Sequence, residues 1–185
     1  MKYLRLFESW NPLSDKDLAS AQELHKIGVV SDQELAELTK LREIEYKILQ
    51  YTGVGDLNLR FTKLLKSLPA GLKVGGHLFL TGCTGLESLP AGLEVNGFLD
   101  LTFCTSLKSL PADLKVGASL NLRDCISLTS LPAGLEVGGN LFLSGCVGLT
   151  SLPADLEVGG DLNLSGCTGL ESLPADLRVG GKILR

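Results

Sequence analysis

The sequence predicts a repeat solenoid: a parallel β-sheet coil with a helical hairpin capping its N-terminal end. Three observations predict it. Ser-Leu-Pro recurs at Ser67, Ser88, Ser109, Ser130, Ser151 and Ser172, always 21 residues apart and without an insertion, and self-similarity at such a period marks stacked supersecondary units. Within each unit two leucines flank one variable residue, as in Leu141-Phe142-Leu143, the alternation of a short strand with one buried face. Ahead of the first unit the apolar residues fall at helical spacing instead.

Residues 1–55 make the helical cap. Ser14 is a candidate N-cap, Asp15 and Asp17 suit the first turn, and Leu18, Ala21, Leu24 and Ile27 keep helical spacing until Gly28, which predicts a helix over 15–27. Ser31 with Glu34 three residues on has the spacing of a capping box. Leu35, Leu38, Leu41, Ile44, Ile48 and Leu49 then form an apolar stripe that ends near Gly53. That stripe is available to cover Leu57 and Leu59 of the first repeat, which has no repeat before it.

Residues 56–185 make the solenoid: six full repeats over 56–181, with Lys182 to Arg185 beginning a further strand. The repeats start at Asp56, His77, Phe98, Ser119, Asn140 and Asp161, and their second and fourth positions are always leucine. In the repeat from Asn140, Leu141 and Leu143 point inward, and Cys146, Leu149, Leu152, Leu156 and Val158 fill the rest of the interior. Pro153 fixes φ and lacks an N–H, which suits an extended return path. Gly159 and Gly160 turn the chain into the next strand. The first member of this pair is glycine except for Asn96, so it is expected at positive φ; the second is glycine except for Ala118, so it is expected to need smallness.

Cys83, Cys104, Cys125, Cys146 and Cys167 occupy one column, with Thr62 in that place in the first repeat. Neighbours about 4.8 Å apart on parallel strands point the same way, which fits disulfide geometry poorly. Five parallel thiols also cannot converge tetrahedrally on one zinc. Buried, reduced cysteines and no metal are therefore expected. Arg5 and Glu8 interrupt what would be the apolar stretch of a signal peptide, and no apolar run approaches the roughly 20 residues of a membrane span. A cytoplasmic protein with no membrane association is the expectation.

Seventeen lysines and arginines against 21 acids leave a net charge of -4, so there is no basic field to collect nucleic-acid phosphates. The two histidines, His25 and His77, lie in different regions with no nucleophile or metal ligand at a telling spacing. The glycine pairs are not followed by Lys-Ser or Lys-Thr and make no phosphate loop. No catalytic residues and no cofactor are expected. Charge alternates down two columns, Lys66, Glu87 and Lys108 in one and Lys73, Glu94, Lys115 and Glu136 in the other, as solvated ladders would.

The stretch "LFLSGCVGLTSLP", written generally as LxLxxCxxLxxLP, resembles leucine-rich repeats, above all the cysteine-type repeats of plant disease-resistance receptors and some bacterial proteins. The resemblance covers residues 56–185. It implies a leucine-rich-repeat-like parallel sheet on a concave face, a cysteine position that turns the chain behind it, and variable strand residues that bind partners. One departure is that glycine replaces the leucine expected three residues before the strand's first leucine, with valine one residue earlier. The convex path therefore stays open, and a plain parallel β-helix remains an alternative. Cysteine-phenylalanine repeats of surface-protein type suggest another register, with Leu86-Glu87-Ser88-Leu89 as the main strand. The first register is preferred because its variable positions suit a binding surface, whereas the other column is uniform in serine. The opening segment is also loosely similar to the openings of small tailed-phage proteins.

Positions one, three and five of successive repeats share one face. Phe79, Phe98 and Phe142 are expected there as exposed aromatic anchors, with Asp100, Asn121 and Arg123 as their polar surround. The same residues would also serve simply to shield the sheet. The expected function is a non-catalytic protein-binding module that uses this face; the alternative is a structural protein that self-associates through its solenoid ends, with a homodimer at the edge strand from Lys182 to Arg185.

Overall fold

A computed structural model describes residues 14–185 of the chain; the opening segment over 1–13, read above for its charges and its phage-like similarity, lies outside the described residues. Helix α1 (Asp15–Lys26) starts where Ser14 and Asp17 cap one another, Asp17 N donating to Ser14 Oγ at 3.2 Å and Ser14 N to the Asp17 carboxylate at 3.0 Å. Helix α2 (Asp32–Gln50) repeats the device with Ser31 and Glu34. Both starts match the sequence expectation, and Gly28 follows α1 at φ 75°. Neither helix is long and apolar enough to cross a membrane.

Thirteen two-residue strands, numbered in chain order, form two parallel sheets. The seven-stranded sheet holds β1 (Leu57–Asn58), β3 (Leu78–Phe79), β5 (Leu99–Asp100), β7 (Leu120–Asn121), β9 (Leu141–Phe142), β11 (Leu162–Asn163) and β13 (Ile183–Leu184). The six-stranded sheet holds β2 (Lys73–Val74), β4 (Glu94–Val95), β6 (Lys115–Val116), β8 (Glu136–Val137), β10 (Glu157–Val158) and β12 (Arg178–Val179). Equivalent residues of adjacent coils pair directly, Leu57 with Leu78 and Val74 with Val95. The chain is a parallel β-solenoid whose coils carry the leucine-rich pattern. Its main strands lie in the first register; the alternative serine column contributes only an isolated bridge between Ser88 and Ser109.

The second sheet resolves the path that the sequence left open. Each valine of the six-stranded sheet points inward, while its preceding charged residue faces solvent. Lys73 and Lys115 both reach Glu94, at 2.9 and 3.2 Å, and Lys108 reaches Glu87 at 3.2 Å, forming the expected surface ladders. Between the sheets run continuous columns of leucine, with Leu57, Leu78, Leu99, Leu120, Leu141 and Leu162 fully buried.

All five cysteines are free and buried. Each Sγ donates to a carbonyl of the preceding coil, Cys83 to Leu59 at 3.2 Å and Cys146 to Leu122 at 3.0 Å. Burial pushes the Cys83 thiol up to about 11 and Cys146 to about 12, and drives Cys104 and Cys125 further up. They are neutral space-fillers that also satisfy backbone acceptors.

One expectation about the turns fails. The first glycine of each pair does not sit at positive φ; it is small because stacked turns approach closely, and a Cβ on Gly117 would lie 2.3 Å from the Asn96 carbonyl oxygen. Positive φ falls instead on the sixth position of each coil, at Gly82, Gly145 and Gly166 but also at Phe61, Phe103 and Asp124, and on Gly71, Gly92 and Gly134 at the sixteenth.

The N-terminal end is covered by α2. Ile48 is fully buried in the leucine core, with Leu41, Ile44 and Tyr51 packed against it. Lys47 Nζ donates to the Asn58 carbonyl at 3.0 Å. In the next coil the matching carbonyl, on Phe79, accepts from Leu59 N of the coil before it, at 2.9 Å. The helix thus supplies a donor where the first coil has no predecessor.

Candidate functional site

The face of the seven-stranded sheet is built from three kinds of position. At position one, side chains form a ladder: Asp56 Oδ1 accepts from His77 N at 2.7 Å, His77 Nδ1 from Phe98 N at 2.8 Å, Ser119 Oγ from Asn140 N at 2.9 Å, and Asn140 Oδ1 from Asp161 N at 2.7 Å. His77 is therefore a structural acceptor, with its proton on Nε2. The second glycine of each turn leaves room for this acceptor; a Cβ on Gly160 would lie 2.1 Å from Asn140 Oδ1. Among the six full repeats Phe98 alone in this column has no acceptor, and only in the turn after it is the glycine replaced, by Ala118. Smallness was the correct expectation at this position, and the ladder is its cause.

At position three, Asn58, Asp100, Asn121 and Asn163 each accept from the backbone N–H two residues on, at 3.0 to 3.2 Å. Asp100 and Asn121 are each only 8% exposed. Their polar atoms serve the strand itself, unlike the freely offered polar surround expected from sequence. Asp100 is the most heavily committed. Thr81 and Thr102 hydroxyls donate to its carboxylate at 2.6 Å each, and Arg60 Nη2 lies 3.6 Å away. Burial opposes its ionisation, but these hydrogen bonds and the guanidinium together outweigh burial and hold its carboxyl below the ordinary value.

Phe79 and Phe142 take position three in the other two coils, and each lies under an arginine from position five of the coil before. The Arg60 guanidinium sits 4.0 Å from the Phe79 ring centre and that of Arg123 4.4 Å from Phe142. Phe98 meets Phe79 edge to face with centroids 6.4 Å apart, and His77 meets it at 5.8 Å. The structure thus gathers His77, Phe79, Phe98, Arg60 and Asp100 into one cluster and sets Arg123 with Phe142 in a second, three coils further along. Phe79, Phe98 and Phe142 are half-buried by these contacts, where the sequence suggested exposed rings.

Within the solenoid, Phe61 and Phe103 are more exposed than these rings, at 59% and 51%. Both occupy left-handed backbone at the sixth position, a conformation disfavoured for bulky residues by roughly 1 kcal/mol or more. The signal for them was present in the sequence as phenylalanine in a column that holds glycine in three other repeats.

Among solved structures, the chain is similar to the leucine-rich repeat domain of the type III effector XopL, with 18% identity over 99% of this chain and 92% of that one and a TM-score of 0.30. No protein-family model and no curated protein matches it.

Proposed function

We propose that the chain is a non-catalytic module that binds a protein through the face of the seven-stranded sheet. One observation carries this reading: on a scaffold whose leucines repeat without exception, the outward positions differ from coil to coil and collect aromatic and arginine side chains into two stacked clusters. Aromatic and arginine residues are the types that dominate interface energetics. Phe61 and Phe103 extend the first cluster with exposed apolar surface at the sheet's margin. The test is capture from the native host with the full chain as bait, comparing wild type with Phe79→Ala, Phe98→Ala and Phe142→Ala. A specific partner whose binding is weakened by roughly 1 to 3 kcal/mol in these variants supports the reading; equal capture by all three moves the site elsewhere.

A second reading, self-association through the last coil, is favoured by Ile183 and Leu184, which are 43% and 45% exposed on β13. Light scattering across a concentration series separates the two: a dimer that dissociates on dilution and is lost in Leu184→Lys supports self-association, and a monomer throughout removes it.

A further inference from the structure

The solenoid contains the same arginine-on-phenylalanine arrangement twice, and comparing the copies shows what the second lacks. Arg60, Phe79, Thr81, Asp100 and Thr102 of the first three coils correspond, three repeats later, to Arg123, Phe142, Ser144, Asn163 and Ser165. The stacking is kept, at 4.0 and 4.4 Å. So is the brace of each arginine's backbone N–H, which donates to Asn58 Oδ1 in one copy and to Asn121 Oδ1 in the other, at 3.2 Å in both. The hydroxyls are kept as well, threonine becoming serine. Within this set of five only the carboxylate is replaced, and among the described residues the side-chain bonds that Thr81, Thr102 and Arg60 Nε make in the first copy have no counterpart. Beside the set, Phe61 and Phe98 give way to Asp124 and Asp161, neither of which is ion-paired with Arg123.

In the first copy the Asp100 carboxylate uses Oδ1 to accept from Thr102 and Oδ2 to accept from Thr81 and to pair with Arg60. In the second copy Asn163 Oδ1 accepts from Ser165 N at 3.0 Å, as Asp100 Oδ1 does from Thr102 N. The Nδ2 amino group of Asn163 therefore takes the place of the charged oxygen. An acceptor has become a donor beside a guanidinium that needs an acceptor. Among the described residues no carboxylate lies within ion-pair distance of Arg123, while Arg60 has Asp100. By the equivalence of the repeats, the Arg123 guanidinium over the Phe142 ring shares its neighbourhood with the Asn163 amide and the Ser144 hydroxyl, a set of donors in which the guanidinium has no ion-paired anion.

We propose that Arg123, Asn163 and Ser144, backed by Phe142, form a recognition site for a carboxylate side chain of a protein partner, an aspartate or glutamate that takes the place Asp100 fills in the first copy. The ligand class is read from the molecule itself, because the first copy holds a carboxylate among the same groups. The inference rests on the reading of this face as a protein-binding surface and names the chemistry that the face selects.

The experiment is a titration of the full-length, isotopically labelled protein with N-acetyl-aspartate amide, followed by NMR at the Arg123 Nε–H, the Asn163 side-chain amide and, as internal control, the Arg60 Nε–H. Saturable shifts at Arg123 and Asn163, little change at Arg60, and no comparable response to N-acetyl-asparagine amide are expected. Arg123→Gln weakens the response by about tenfold or more, the loss of a charge-assisted pair. Asn163→Asp, which rebuilds the arrangement of the first copy, removes the response while leaving the fold intact. Equal shifts at Arg60, an equal response to the neutral probe, or preferential saturation by inorganic phosphate overturns the proposal. Partner capture separates it from the broader reading: if Phe98→Ala and Phe142→Ala lose the partner but Arg123→Gln and Asn163→Asp keep it, the surface stands and the carboxylate site does not.

Discussion

At the first coil Ile48 of α2 is fully buried against the leucine columns and Lys47 donates to the strand's outward carbonyl, whereas at the last coil Ile183 and Leu184 are 43% and 45% exposed and Leu173, Leu177 and Val179 are only half-buried. The coils are nearly identical in sequence, so the difference lies in what covers them. In an array where each coil touches only its neighbours, stability is a sum of coil and interface terms, and a coil with one neighbour has lost about one interface. The capping helix substitutes for that interface chemically as well as sterically, with apolar side chains against leucine and an ammonium against a carbonyl.

The largest expected effect follows directly. Deleting residues 1–50 exposes Leu57, Leu59 and the outer edge of β1, and the truncated chain is expected to aggregate or to lose cooperative unfolding; deleting 182–185 at the other end lowers the melting temperature by only a few degrees. Circular dichroism melts of both truncations check this. A soluble 51–185 fragment that unfolds cooperatively would show that α2 is ornamental to the solenoid.

Single substitutions sharpen the same contrast. Ile48→Ala opens a cavity at a fully buried site and is expected to cost about 2 to 5 kcal/mol, as is Leu141→Ala in the middle of the array. Ile183→Ala, half in solvent, is expected to cost about 1 kcal/mol or less. Urea denaturation of the three variants measures it. Similar losses at Ile48 and Ile183 would mean that something covers the last coil as effectively as α2 covers the first.

Asp100 offers a smaller test inside the first three coils. Its folded carboxyl titrates below the ordinary value, so its contribution to stability is present above the unfolded carboxylate value, near 3.9, and is lost as pH falls through the folded one. Asp100→Asn, which copies the Asn163 of the later coils, is expected to flatten that acid limb and to cost about 1 to 3 kcal/mol at neutral pH by leaving Arg60 unpaired. An unchanged acid limb would remove Asp100 from the stabilising network.

Much of this architecture was legible because it repeats. Six copies of Leu-x-Leu identified the buried face of the main strand, and Ser14 and Ser31 marked both helix starts within a residue. The second sheet was not legible, because a two-residue strand such as Lys73–Val74 is too short to show alternation and only its stacking makes it β. The face positions were legible as a face but not as contacts: the pairing of Arg60 with Phe79, or of Thr81 with Asp100, joins residues 19 apart, a separation set by the coil pitch rather than by local pattern. Glycine in the turns was misread because positive φ and close approach both select glycine, and one sequence cannot separate them. At the second position the exception at Ala118 pointed correctly to smallness; the misreading was confined to the first, where Asn96 was the exception.

The smallest effect expected at the two ends concerns the thiols, and it needs no substitution. Cys83 through Cys146 are fully shielded, while Cys167 in the last full coil is 8% exposed. Burial raises each thiol above its unfolded value of about 8.5, so the stability they contribute is complete below that value and falls as pH rises toward about 11 at Cys83 and about 12 at Cys146. Alkaline solution should therefore loosen the array, starting from the coil with the least cover. A thiol reagent added in small excess at pH 8, with the products read by peptide mass spectrometry, is expected to label Cys167 first and Cys104 and Cys125 last, because labelling requires local opening and opening is easiest where one neighbour is missing. A uniform rate at all five would mean that the solenoid opens as one unit and that the two ends, despite their different cover, are equally stable. Labelling of Cys83 ahead of Cys167 would place the weaker end under α2 and reverse the comparison.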